Sequence, residues 1–389
     1  MIKLLFFRYF TNGFIALEIL ILPLIIESNN FGNFEYLKSA VLLSPYALLG
    51  SFSGYVYLKY NSNIDYYGEL FLGAFFSSLV VATLYVGLTG NFFLFIPIVF
   101  CSLSFVVEKK LQTSNHFLIS IIFKPLLSMF TLILCLINYR FKYFESYDFI
   151  LFVAYFLSFI LWGIITRLNL KISILPNNFH FNFEGFKIYL SLIREGFLIN
   201  ISTILISLFF FSSRYFIKVF YNESLSSYSL AFNISQFVFI GVNILGYVSL
   251  VKIGENIKTI LLNDLLESLK RALLLFVVIE LVAFILLNLY LKIATNYEDV
   301  AYFFLSSSVF VGIFYSISTI SPILQYKNKL NQSTLFLIAI LSIDGTTSYY
   351  FAKHNISPIL LVFKSSLLLL LTGIFNLYLI FFKIDYPKT

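Results

Sequence analysis

Charge is what this sequence has least of. Only 12% of its 389 residues are Asp, Glu, Lys or Arg, while 60% are hydrophobic; an ordinary soluble chain carries roughly a quarter charged residues. Its mean hydropathy is +0.91. A chain so poor in charge cannot cover its own surface with polar groups in water, which excludes a soluble enzyme with a minor anchor. Cysteine is scarce too. Cys101 and Cys135 both sit inside apolar runs and read as small buried residues rather than a disulfide. His116, His180 and His354 stand alone with no ligand spacing around them, so no metal and no cofactor is expected. The G-x-x-x-x-G-K-[ST] motif is absent, which excludes nucleotide hydrolysis by the chain itself. No Ser/His/Asp grouping, zinc spacing or carboxylate pair stands in a polar loop large enough for an active site, and no enzyme is expected. No cleavable signal is evident, because the N-terminus runs straight into an apolar helix without a small-residue cleavage site.

What the chain does have is apolar runs of membrane length. At about 20 residues per crossing, it has room for roughly a dozen helices. Breaks at polar clusters place twelve spans, the first six near 4–27, 36–58, 68–88, 91–107, 116–138 and 148–167. The second six lie near 196–218, 227–251, 270–291, 300–324, 332–352 and 357–382. The net charge of +7 is spread over loops rather than packed into a stripe, so nucleic acid is not an expected partner. The positive-inside rule accounts for it: one alternate set of connections carries 15 basic residues and the other set 6. Both termini are therefore expected in the cytoplasm, with an even number of spans.

The longest polar connection, Asn169 to Lys187, separates six spans from six. The expected architecture is an all-α polytopic membrane protein of two six-helix lobes, 1–168 and 188–389, joined by a cytoplasmic linker at 169–187. Two halves of matching hydropathy are the usual sign of a duplicated transporter. Between Lys252 and Arg271, Ile257, Ile260, Leu261, Leu265 and Leu269 recur at helical spacing among basic residues. An interfacial helix lying on anionic lipid headgroups is expected there.

Ionisable groups inside spans are costly and mark function. The cations are Arg8, Lys38, Lys124, Arg194, Arg214, Lys218 and Lys364; the acids are Glu18, Glu280 and Asp344, with Glu195 at a span entrance. Arg8, Thr11, Asn12 and Glu18 share one third of the first helix's circumference, a stripe that either lines a cavity or glues helices together. The seventh span holds Asn200, Ser202, Thr203 and Ser207 before Arg214. Lys124 stands beside Pro125, which removes a backbone donor, and so is a candidate anion ligand. Glu18, Glu280 and Asp344 are candidates for proton or ion coupling, and Glu280 and Asp344 alternatively for pairing with the cations. An excess of cations favours an anionic, phosphate-bearing substrate over a metal cation.

Ile21-Leu-Pro-Leu-Ile-Ile26 followed by Phe31-Gly-Asn-Phe-Glu-Tyr36 resembles the opening of bacterial polysaccharide flippases of the O-antigen type. Pro23, Gly32, Glu35 and Tyr36 match that pattern, and Leu37 replaces its next glycine. Arg214-Tyr-Phe-Ile-Lys-Val-Phe220 and Tyr228-Ser-Leu-Ala231 are similar to two further family elements, with Ser213 where the family has aspartate. The likeness covers the whole chain in topology and about forty residues in motif. It implies the two-lobed fold of the multidrug/oligosaccharidyl-lipid/polysaccharide (MOP) superfamily, in the inner membrane. It implies an undecaprenyl-diphosphate-linked oligosaccharide as substrate, for O-antigen of lipopolysaccharide or for capsule, carried through a cationic cavity. Polymerase and chain-length regulator of the same pathway would be partners. Of the family's cavity cations, Arg214 alone carries over by position. Two alternatives remain: a lipid-linked repeat-unit polymerase, which should carry a long extracytoplasmic loop, and a drug or cation exporter of the same superfamily, which should favour buried carboxylates.

Overall fold

The computed structural model describes the chain except residues 1, 63, 145, 172–173, 177–182, 237, 240–241, 243–260, 328 and 385–389. Side chains of 2–11, 60–62, 198–199 and 325–326 are likewise outside the described set. The described residues are helical, with no strand among them. Helices α1 (Ile2–Ile25), α2 (Ser28–Leu43), α3 (Ser51–Ser62), α4 (Tyr67–Thr89) and α5 (Phe95–Thr113) come first. They are followed by α6 (Phe117–Ser120), α7 (Phe123–Phe141), α8 (Tyr147–Leu170) and α9 (Phe183–Phe220). Helix α10 occupies 225–236. The rest are α11 (Leu262–Leu291), α12 (Val300–Ser318), α13 (Pro322–Tyr326), α14 (Leu330–Lys353) and α15 (Pro358–Phe382).

Nine of the described helices are long and apolar enough to cross a membrane, ten when the bent pair α2–α3 counts as one span. Of the twelve expected spans, the other two are the first, whose first ten or so side chains are not described, and the eighth, much of which lies outside the described residues. Apolar side chains cover the outside of these helices. On α11, Leu274, Val277, Val278, Leu281, Val282, Ile285 and Leu286 are all more than half exposed, the pattern of a helix facing lipid. The chain is thus a multi-pass membrane protein.

Local chemistry explains where helices stop. Gly90 takes φ +70° and closes α4, separating two apolar runs that only Thr89, Gly90 and Asn91 divide in the sequence. Ser146 caps α8 by accepting from the Phe149 N–H, and Pro358 sits at the first turn of α15, where its missing N–H costs nothing. Between α2 and α3, Pro45 starts a tight 3₁₀ turn, Leu49 and Gly50 adopt positive φ, and the axis bends by 48°.

One expectation is corrected and another refined. The expected interfacial helix at 252–271 is not a separate element where it is described. Residues 262–271 are the first turns of α11, which continues unbroken to Leu291, with Leu265 and Leu269 buried in its own unit. Residues 252–260 lie outside the described set. The second is a refinement: the fifth span is present over Phe117–Phe141, but it is interrupted, α6 ending at Ser120 and α7 beginning at Phe123.

The chain forms two compact units, Met1–Ser207 and Leu208–Thr389, the division falling within α9. In the first unit the core is aromatic: Trp162, Tyr55, Tyr155, Phe31 and Phe34 are almost wholly buried, and Phe100 stacks on Phe159 at 4.6 Å. The N-terminal half of α9 docks there through glycines. A Cβ on Gly54 would lie 1.8 Å from the Leu192 carbonyl oxygen, and one on Gly196 would lie 1.9 Å from that of Gly50. Backbones meet here without side chains between them, the close approach that small residues allow in membrane helices. In the second unit α11, α12 and α15 enclose an aliphatic core of Leu265, Leu269, Ile317, Ile320, Leu379 and Ile380.

Candidate functional site

The intramembrane charges fall into two buried pairs and a scatter of single groups. In the first unit, Glu18 of α1 is 1% exposed, and Lys38 of α2 donates to its Oε1 at 2.5 Å. Glu35, one turn before Lys38 on α2, holds a second carboxylate 3.6 Å from the same ammonium. The other oxygen of Glu18 has no hydrogen-bond partner among the described residues. The face of α1 that carries Glu18 is therefore turned to other helices at that level. Asn12 on α1 is half-buried, while the side chain of Arg8 lies outside the described residues.

Lys124 occupies a different setting. It is exposed, in the first turn of α7, directly after the break at 121–122. Pro125 therefore lies in a helix first turn, where its missing N–H costs little, and the helix is open because of the α6–α7 break. The Trp162 indole N–H caps that break, donating to the Ile119 carbonyl at 2.8 Å. The Lys124 ammonium lies 5.6 Å from the centre of the Phe105 ring, and no ion pair to it occurs among the described residues.

The second unit carries the other pair. Asp344 of α14 has no exposed surface, and Lys364 of α15 lies 2.7 Å from its Oδ1. Ser365 donates to Oδ1 at 2.7 Å and Ser212 of α9 to Oδ2 at 3.1 Å. Arg214, also buried, donates to the neutral amide oxygen of Asn233 at 2.9 Å and packs its guanidinium over Phe232. Glu280 of α11 is buried with Ser308 as donor to one oxygen; the other oxygen has no hydrogen-bond partner among the described residues. Lys218 donates to Asn222 at 3.0 Å near the end of α9.

Arg194 does not enter a core. Its side chain is 85% exposed and lies 3.7 Å from Glu195. Asn200 is buried and donates to the Gly196 carbonyl, so it completes the glycine contact of α9; Ser202 is half-buried. Of the seven cations and three buried acids expected from the sequence, the fold brings together Glu18 with Lys38 and Asp344 with Lys364. Glu35 and Asn233 were missed as site groups. Glu35 matched a family motif but fell in the connection between spans expected near 4–27 and 36–58, yet α2 begins at Ser28.

Outside the spans, Asp65 gathers a second kind of cluster. Its carboxylate accepts from Lys110, from Lys59 at 3.3 Å and from the Tyr55 hydroxyl at 2.9 Å. Partial burial works to raise its pKa, but the bonds from Lys110 and Tyr55 and the two ammonium charges outweigh that and hold it below the usual range. The cluster ties α3 to α5 at the ends of their helices.

No family model matches the sequence, and no curated protein matches it. Solved structures do resemble the fold. A lipid II flippase, MurJ, in an inward closed conformation matches with a TM-score of 0.71 at 14% identity, over 100% of this chain and 88% of that one. An inward-facing multidrug resistance MATE family transporter of the MOP superfamily matches with a TM-score of 0.63 at 12% identity, over 93% and 97%. A MOP superfamily transporter from Pyrococcus furiosus matches at 0.53 and 9% identity, over 96% and 92%. The chain has the fold that these transporters and this flippase share.

Proposed function

We propose that this protein is a flippase that moves undecaprenyl-diphosphate-linked oligosaccharide units from the cytoplasmic to the outer leaflet of the bacterial inner membrane. The observation that carries this reading is the likeness of the whole chain, without remainder, to a lipid II flippase. The charge complement supports it. Cations outnumber acids within the spans even with Glu35 counted. A positive pathway attracts a diphosphate and repels metal cations. The polyprenyl tail stays in lipid, and the diphosphate and sugars pass by alternating access. Both termini are cytoplasmic in this reading.

The buried pairs refine the site. Lys38 and Lys364 are engaged with carboxylates, so they hold helices together more than they await substrate. Lys124, exposed at a helix break, is the cation best placed to meet phosphate; Arg214, bound to a neutral amide, is next. A drug or cation exporter of the same fold should present ionised carboxylates to its cargo; here Glu18 and Asp344 face lysines, and Glu280 stands alone.

The test is the fate of the lipid-linked glycan in a host lacking the gene. Single repeat units trapped on the cytoplasmic leaflet are expected. Single units that reach the outer face but never grow into chains would mean a polymerase and overturn the flippase reading. In the complemented host, Lys124→Ala should give the same trapping with a normal amount of folded protein; undiminished flipping would remove Lys124 from the site.

A further inference from the structure

The oxygens around Lys364 outnumber the protons its ammonium can donate. That group has three N–H bonds, and four oxygens surround it. They are Asp344 Oδ1 at 2.7 Å, Ser348 Oγ at 2.6 Å, Thr347 Oγ1 at 3.0 Å and the Asp344 main-chain carbonyl at 3.0 Å. Carboxylate, hydroxyl and carbonyl oxygens converging on one point are the ligand set that hard cations take. The cage is built from more than one helix. Asp344, Thr347 and Ser348 project from α14, Ser365 of α15 holds Asp344 Oδ1, and Ser212 of α9 holds Oδ2. Asp344 and Ser348 have no exposed surface.

We infer that this is a monovalent-cation site whose cation is supplied by the chain itself, the tethered Lys364 ammonium standing where a free ion would otherwise bind. The chemistry follows from the geometry. A buried aspartate needs a positive charge within contact distance, and the surrounding hydroxyls and carbonyl accept from any small cation. Because the ammonium is attached to α15, it cannot dissociate, and the α14–α15 contact does not depend on the ion content of the medium. Truncating the lysine leaves one carboxylate and three neutral oxygens around a space of cation size, which sodium fits in charge and in ligand preference. The inference concerns one unit only and does not rest on the flippase reading.

The test uses the full chain in lipid nanodiscs, with sodium chloride against choline chloride at equal ionic strength. The wild type should unfold at the same temperature in both salts and show no saturable binding of radioactive sodium. Lys364→Ala should bind sodium saturably and show a midpoint that rises with sodium concentration. Adding Asp344→Asn to it should lower sodium retention at least tenfold. Saturable sodium binding by the wild type would overturn the inference, as would a double variant that retains sodium as well as Lys364→Ala. Lys364→Gln is the second variant. Should neither single variant fold or bind in sodium, the ammonium is not standing in for an ion and the inference fails.

Discussion

Both units bury a lysine against an acid twenty residues earlier in the chain, and on the preceding membrane span in each case, yet the two pairs are built differently. Asp344 and Lys364 form a saturated site: both carboxylate oxygens have partners, and the ammonium has more acceptors than protons. Lys38 instead lies between two carboxylates, Glu18 at 2.5 Å and Glu35 at 3.6 Å. Among the described residues one ammonium faces two carboxylates, and Glu18 Oε2 has no hydrogen-bond partner. A buried ion pair in a membrane helix can be a tight clamp or a looser one, according to whether its donors and acceptors are all matched. Breaking a fully matched pair strands a charge in a site of low polarity; breaking a looser one abandons fewer bonds.

The largest effect should follow from removing the ammonium of the fully matched pair. In sodium-free medium, Lys364→Ala is expected to cost about 3–5 kcal/mol of stability, the loss typical of an abandoned buried charge. Denaturant unfolding in nanodiscs measures it, and a loss under about 1 kcal/mol would make this pair no stronger than a surface one. Lys38→Met should cost less, about 1–3 kcal/mol, because Glu18 already keeps one carboxylate oxygen without a hydrogen-bond partner among the described residues, so fewer bonds are lost. A Lys38→Met loss equal to or above that of Lys364→Ala would erase the distinction between the two clamps.

A second contrast lies within the first unit. Gly54→Ala places a methyl 1.8 Å from the Leu192 carbonyl and must push α9 away from α3, at a cost of about 1–3 kcal/mol. Gly87→Ala meets nothing within 4 Å on the exposed side of α4. It should stabilise slightly, by up to about 1 kcal/mol, through helix propensity alone. Equal effects at the two glycines would mean that the α3–α9 contact is loose.

The smallest effect concerns Asp65. Its pKa is lowered on folding, so its contribution is present above the unfolded-state value near 3.9 and is lost as pH falls through the lower folded value. Because Asp65 is 42% exposed, solvent screening holds the contribution to about 0.5–1 kcal/mol. Asp65→Asn should abolish that part of the acid-limb loss of stability; an unchanged acid limb would mean that the cluster contributes nothing measurable.

The spans were legible because a bilayer turns folding into a one-dimensional signal: an apolar run of sufficient length has nowhere else to go. The separation of α4 from α5 at Gly90 could be read from three residues, Thr89 to Asn91, that interrupt the apolar run. What could not be read depends on the third dimension. Nothing in the spacing of Glu18 and Lys38, or of Asp344 and Lys364, says that neighbouring helices bring them together rather than aim them at a substrate. Glu35 was missed as a site group because the second span was expected from 36, whereas α2 begins at Ser28. The amphipathic residues 262–271 were misread because a buried stripe in a helix that enters the membrane has the same periodicity as one lying on its surface. At Lys124 the local opening of the helix was legible but not its cause, which is the break after α6 rather than the proline.

The most direct test of the account is transport by the purified chain in proteoliposomes. Undecaprenyl-diphosphate-linked oligosaccharide, placed in one leaflet, should cross only when the protein is present, and Lys124→Ala should slow the crossing while leaving the fold intact. A chain that leaves the lipid-linked glycan in place but moves a cationic dye across the same membrane would contradict it.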